Sequence, residues 1–119
     1  GSIAGDQVPP TQDITNIKIT IFAREATNSA YIPGVQIASG TNYSVDTLIP
    51  TFDEYVFTGD VAYWGIDQAT AHQFATGAQP FILIGEGVTD GSQIAVAWVE
   101  VQFTYVDLPI TQINLPTVF

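Results

Sequence analysis

The chain has 119 residues, 46% hydrophobic and only 12% charged, which suits one domain with a buried core and is too short for two ordinary ones. Twelve acids stand against two cations, for a net charge of −10, and such a field repels phosphates, which excludes nucleic acid and anionic lipid as direct partners. Cysteine is absent, so no disulfide framework or thiolate zinc site can form, and no apolar run approaches the roughly 20 residues of a membrane-spanning helix.

Residues 1–13 are polar, with glycine and the pair Pro9-Pro10. They read as a linker or arm, in which Gly1-Ser2 is a scar of expression, ahead of a single domain over residues 14–119. Ile14 to Arg24 alternates cleanly: Ile17, Ile19, Ile21 and Ala23 share one face, while Lys18, Thr20, Phe22 and Arg24 share the other. That period of two predicts a strand. Its polar side reads as a solvated face whose two cations pair with nearby carboxylates.

Ala26 to Gly34 reads as a loop, followed by a short strand at Val35–Ser39 and a turn at Gly40–Asn42. Tyr43 to Ile49 is a further strand stopped by Pro50. Glu54–Thr58 is another, with Asp60–Trp64 continuing it beyond a kink at Gly59. Asp67–Thr76 breaks the pattern: Asp67 is an N-cap candidate and Gly77 a terminator, which predicts a helix of about two turns. The apolar run Phe81–Gly85 reads as a buried strand.

Gln93 to Val106 is the longest run with strand character, rich in β-branched and aromatic residues. Its alternation changes phase. Ile94, Val96 and Trp98 fall on one side, and Val99, Val101, Phe103 and Tyr105 on the other. Either both faces are covered or a bulge near Trp98 re-aims the side chains, and the run is expected at the centre of the domain. Leu108–Phe119 carries two prolines and is at most an edge strand. Seven or eight short strands with one short helix predict an all-β, antiparallel β-sandwich or jelly-roll-like domain.

Few residues suit catalysis. His72, the single histidine, has no nucleophile elbow to serve and no ligand at i+3 or i+4, and reads as a partly exposed helix residue. Asp53 and Glu54 are adjacent, so on a strand they point to opposite faces and cannot share a substrate. No acid–base pair emerges, and a non-enzymatic protein is expected. Asp53, Glu54, Asp60 and Asp67 cluster in a loop-rich stretch, where hard oxygen ligands suit calcium. Tyr63 and Trp64, with Tyr31 and Tyr43 in or beside loops, form a candidate aromatic binding surface for a sugar or a protein. The competing reading puts one of the Tyr63–Trp64 pair in the core.

Gly91-Ser-Gln-Ile-Ala-Val-Ala-Trp-Val-Glu-Val-Gln-Phe-Thr-Tyr-Val-Asp-Leu-Pro109 resembles the closing strand of small RNA-virus coat proteins. Val8-Pro-Pro-Thr-Gln-Asp-Ile-Thr15 likewise resembles the linker and first strand of the protruding domain of nodavirus-type capsid proteins. The resemblance implies an all-β protrusion on the virion surface that pairs with its neighbours, a dimer being the simplest case, and contacts a host receptor. The basic arm of whole coat proteins is missing, which fits an outer domain. A mean hydropathy of +0.25 also points to apolar surface meant for a partner. The alternative is a carbohydrate-binding or adhesin-type β-sandwich of a secreted or cell-surface protein, with Tyr63 and Trp64 as its sugar platform.

Overall fold

The computed structural model describes residues 8–26, 30–45, 48–87 and 94–107. Among them, six strands and one helix follow one another as β1 (Gln12–Glu25), β2 (Ala30–Ile37), β3 (Tyr43–Val45), β4 (Asp53–Gly59), α1 (Gln68–Thr76), β5 (Phe81–Gly87) and β6 (Ile94–Asp107). They form two antiparallel three-stranded sheets, ordered β4-β1-β6 and β3-β2-β5. The fold is all-β and sandwich-like, with one short helix.

β1 is the central strand of its sheet, and its isoleucines explain why. Ile17, Ile19, Ile21 and Ala23 are fully buried along one face. On that face Ile19 lies between Phe57 of β4 and Val101 of β6, and Ile21 between Tyr55 and Val99. Cross-strand pairs of β-branched and aromatic side chains are the unit of sheet stabilisation. The expectation that the Gln93–Val106 run is central is therefore corrected. Among the described residues β6 is an edge strand of the sheet, and Trp98, Tyr105 and Val106 on it are exposed.

The phase change in β6 is a bulge. Trp98 pairs with Phe22 and Val96 with Ala23, which leaves Ala97 unmatched. The extra residue reverses the alternation, so Ile94 packs against the same core as Val99, Val101 and Phe103, while Trp98 turns to the other face.

A second bulge accounts for the stretch expected to be a loop. The β2 register shifts between Ile32 and Val35 against β3, and between Tyr31 and Gly34 against β5. Pro33 lies in the gap and has no N–H to give to a ladder. Ile32 and Val35 are an odd number of residues apart, yet both are buried. The bulge is what brings them to one side, and it conceals the strand from a simple period-two reading.

Other expectations are also corrected. The Tyr43–Ile49 strand shortens to β3, with Leu48 buried and Ile49 exposed. Asp60–Trp64 does not continue β4 but forms a turn, closed by Trp64 N–H donating to Asp60 O (3.2 Å) and Ile66 N–H to Val61 O (3.0 Å). Among the described residues β5 is an edge strand rather than a fully buried one, with Ile82 exposed. Val8 belongs to the core, and Gln12 and Asp13 already pair with Asp107 and Val106. Residues 1–7, residues 88–93 and the tail from Leu108 onward lie outside the described residues.

Helix α1 forms where the cap signals place it. Asp67 Oδ1 accepts from Thr70 N–H (2.8 Å), and Gly77 takes the left-handed conformation at φ 89°. Ala71, Phe74 and Ala75 are its buried face. Phe74 meets Phe81 of β5 edge-on at 6.2 Å and Phe103 of β6 at 5.6 Å, so one ring touches both sheets. The side chain of Gln68 fixes the helix to β1. Its Oε1 accepts from Ile14 N–H (3.0 Å) and its Nε2 donates to Ile14 O (2.6 Å). These two bonds sit where the β1–β6 register shifts between Ile14 and Asn16, and they give a backbone at a ladder irregularity its partners.

Candidate functional site: an aromatic sheet face

The residues expected to form a binding surface are mostly structural. Trp64 is completely buried, and its Nε1–H donates to Ile17 O at 2.9 Å. Tyr43 stacks on Tyr63 at 4.4 Å with ring planes 9° apart, and both rings meet Trp64 edge-on. The Tyr43 hydroxyl donates to Tyr63 O at 2.6 Å, and Thr41 N–H donates to Trp64 O at 2.8 Å. The 60–66 turn thus ties β1 to the Gly40–Tyr43 segment at the edge of the other sheet. A side chain at Gly40 would place its Cβ 2.0 Å from Trp64 O, and one at Gly59 would meet the Tyr63 ring at 2.2 Å. Both glycines are needed for this close approach. Partial burial, then the neighbouring Tyr43, pushes the Tyr63 phenol above its ordinary pKa. Tyr31 stands apart on β2 opposite Glu86 and makes no ring contact with the other three. The sugar platform at Tyr63–Trp64 is therefore corrected: an indole with no exposed surface cannot stack on a ligand.

The four acids do not converge either. Asp53 Oδ1 accepts from Glu54 N–H, Asp60 Oδ1 from Tyr63 N–H, and Asp67 Oδ1 from Thr70 N–H, each at 2.8 Å. Each aspartate terminates or caps its own segment, and Glu54 points to the outer face of the β4-β1-β6 sheet. Among the described residues no group of three or more His, Asp or Glu side chains could hold a metal ion, so the shared calcium site is corrected as well. His72 is half-buried beside a groove of about 390 Å³, lined also by Val8, Pro10, Ala69, Gln73 and Thr76. That lining offers neither a carboxylate nor a serine to partner the imidazole.

The feature that sequence reasoning missed is the outer face of the β4-β1-β6 sheet. Its centre is a ladder of three aromatic rings. Phe22 of β1 stacks on Phe52, which precedes β4, at 5.3 Å and on Trp98 of β6 at 5.1 Å, with ring planes within 16°. Arg24 lies over the Phe52 ring at 5.3 Å and donates to Glu25 O. Phe52 is 42% exposed, Trp98 43% and Val56 48%. The register gives the rest of the face in rows across the three strands: Thr58, Lys18 and Gln102; Val56, Thr20 and Glu100; Glu54, Phe22 and Trp98. Thr20 is buried even here, beneath its neighbours.

The alternation of β1 had marked Phe22 as an aromatic residue on a polar side, which was the available signal. What gathers Phe52 and Trp98 around it is the strand pairing and the β6 bulge. Large apolar side chains exposed together on one face mark an interaction surface, and aromatic residues with arginine are the residues that most often anchor one.

Compared with known proteins, the chain matches no family model, no curated protein and no solved structure. The fold and the face together define a class: an all-β sandwich-like domain that presents a stacked aromatic ladder on one sheet.

Proposed function

We propose that this chain is a non-enzymatic structural module that works by self-association, as a protrusion on the surface of a viral capsid that also contacts the host cell. The observation that carries the reading is the exposed Phe52–Phe22–Trp98 ladder with Val56 beside it. The rings stack on one another, so Phe22 has both faces occupied. A sugar needs an open ring face, whereas a second apolar sheet packs against ring edges and methyl groups as well. The resemblance of Val8–Thr15 and Gly91–Pro109 to capsid protrusions supports the biological setting.

Sedimentation equilibrium of the wild-type chain over a wide concentration range tests this. The expected result is a reversible dimer that Trp98→Ala shifts to monomer without loss of fold. A strict monomer at every concentration overturns it and favours the extracellular glycan-binding module, with Trp98 in place of Trp64 as the residue to mutate.

A further inference from the structure

We infer that the second copy docks on this same face through two cation–acid pairs, Lys18 with Glu54 and Arg24 with Glu100, each made twice by a two-fold axis. The inference rests on the self-association reading and specifies its geometry. Both cations of the chain, Lys18 and Arg24, are on this face, with two of its twelve acids, Glu54 and Glu100. The stretch of this face from Lys18 to Arg24 is formally neutral on a molecule of net charge −10, and Asp13 is the next acid on the same side of β1. Two copies approaching by any surface that carries only acids repel each other; here they do not. Among the described residues neither cation forms an ion pair within its own chain: Arg24 donates to a backbone carbonyl and covers a ring, and Lys18 is free.

The register makes the pattern self-complementary. From Lys18 to Glu54 is one strand toward β4 and two rows along; from Arg24 to Glu100 is one strand toward β6 and two rows back. The displacements are equal and opposite, so one in-plane axis, tilted about 20° from the cross-strand direction and placed midway, brings each cation to within about 5 Å (one strand spacing) of the acid of the other copy, a gap that the long lysine and arginine side chains span. An isologous contact requires this of any two-fold interface. The same operation brings Phe22 and Trp98 near the centre, where desolvated anchors have most effect.

The face is small. Three strands about 4.8 Å apart, over the span Lys18–Arg24 at about 3.4 Å per residue, present on the order of 350 Å² per copy. A standard interface has roughly 800 Å² per partner. Association of the free chain is therefore weak, and it strengthens where copies are held side by side, because tethering raises their effective concentration.

Charge swaps on the full chain test the pairing, read as the dimer dissociation constant by sedimentation equilibrium. Lys18→Glu alone weakens the dimer by about tenfold or more, since the symmetry places two repulsions at once. Lys18→Glu with Glu54→Lys restores the wild-type constant to within about threefold. Lys18→Glu with Glu100→Lys has the same net charge but sets like against like in every pair, and it stays dissociated. Equal recovery in both double variants means that net charge alone governs association and overturns the pairing. A wild-type dimer that ignores all three variants also overturns it, while leaving self-association through another surface in place. A wild-type chain that never dimerises removes the proposed function itself.

Discussion

The two tryptophans separate structure from function, and replacing Trp64 measures the structural half. Trp64→Ala deletes a fully buried indole, its Nε1–H bond to Ile17 O and its edge contacts to Tyr43 and Tyr63. Large-to-small replacement of a core aromatic costs about 3–5 kcal/mol, and the lost hydrogen bond and ring contacts place this site in the upper half of that range. A domain of this size has a stability on the order of 5–15 kcal/mol. The variant therefore loses about a quarter or more of it, with a fall in Tm of roughly 12–20 °C. Trp98→Ala removes a side chain that is 43% exposed, with an expected cost of about 1 kcal/mol or less. Urea unfolding of both variants, at concentrations where the chain is monomeric, compares them directly. A loss under about 1 kcal/mol for Trp64→Ala, or equal losses at the two sites, would refute the assignment of Trp64 to the core and Trp98 to the surface.

Gln68→Ala removes both bonds to the Ile14 backbone. It should cost about 1–3 kcal/mol and accelerate amide hydrogen exchange at Ile14, and unchanged exchange there would contradict the clamp. Asp67 caps α1, and the bonds from the Thr70 backbone and side chain hold its carboxyl below the ordinary carboxylate pKa. A lowered pKa in the folded chain means that the charged cap stabilises at neutral pH, and that this contribution is lost as the pH falls through the folded value. The Tm difference between wild type and Asp67→Ala should shrink on acidification, and a difference that grows would contradict the sign.

Local signals determined much of this protein. The isoleucine alternation of β1, the cap residues Asp67 and Gly77, and the phase change near Trp98 each act within a few residues. The chain states them without reference to its fold. The all-β class and the single helix follow from these.

What tertiary structure decided is where strands lie and what their faces meet. A period of two identifies a strand but does not say whether it is central, so β6 was expected in the place that β1 holds. The Pro33 bulge disguised β2, because the side of the sheet on which Val35 falls depends on pairing with β3 and β5. Tyr63 and Trp64 sit in a turn, where aromatic residues read as exposed. Burial came from the docking of that turn between β1 and the Gly40–Tyr43 segment, made possible by the missing side chains of Gly40 and Gly59. Phe22, Phe52 and Trp98 are far apart in the chain and become one ladder only when three strands align. Which side chains share a sheet face is set by register, and register is a property of the paired strands, not of any one of them.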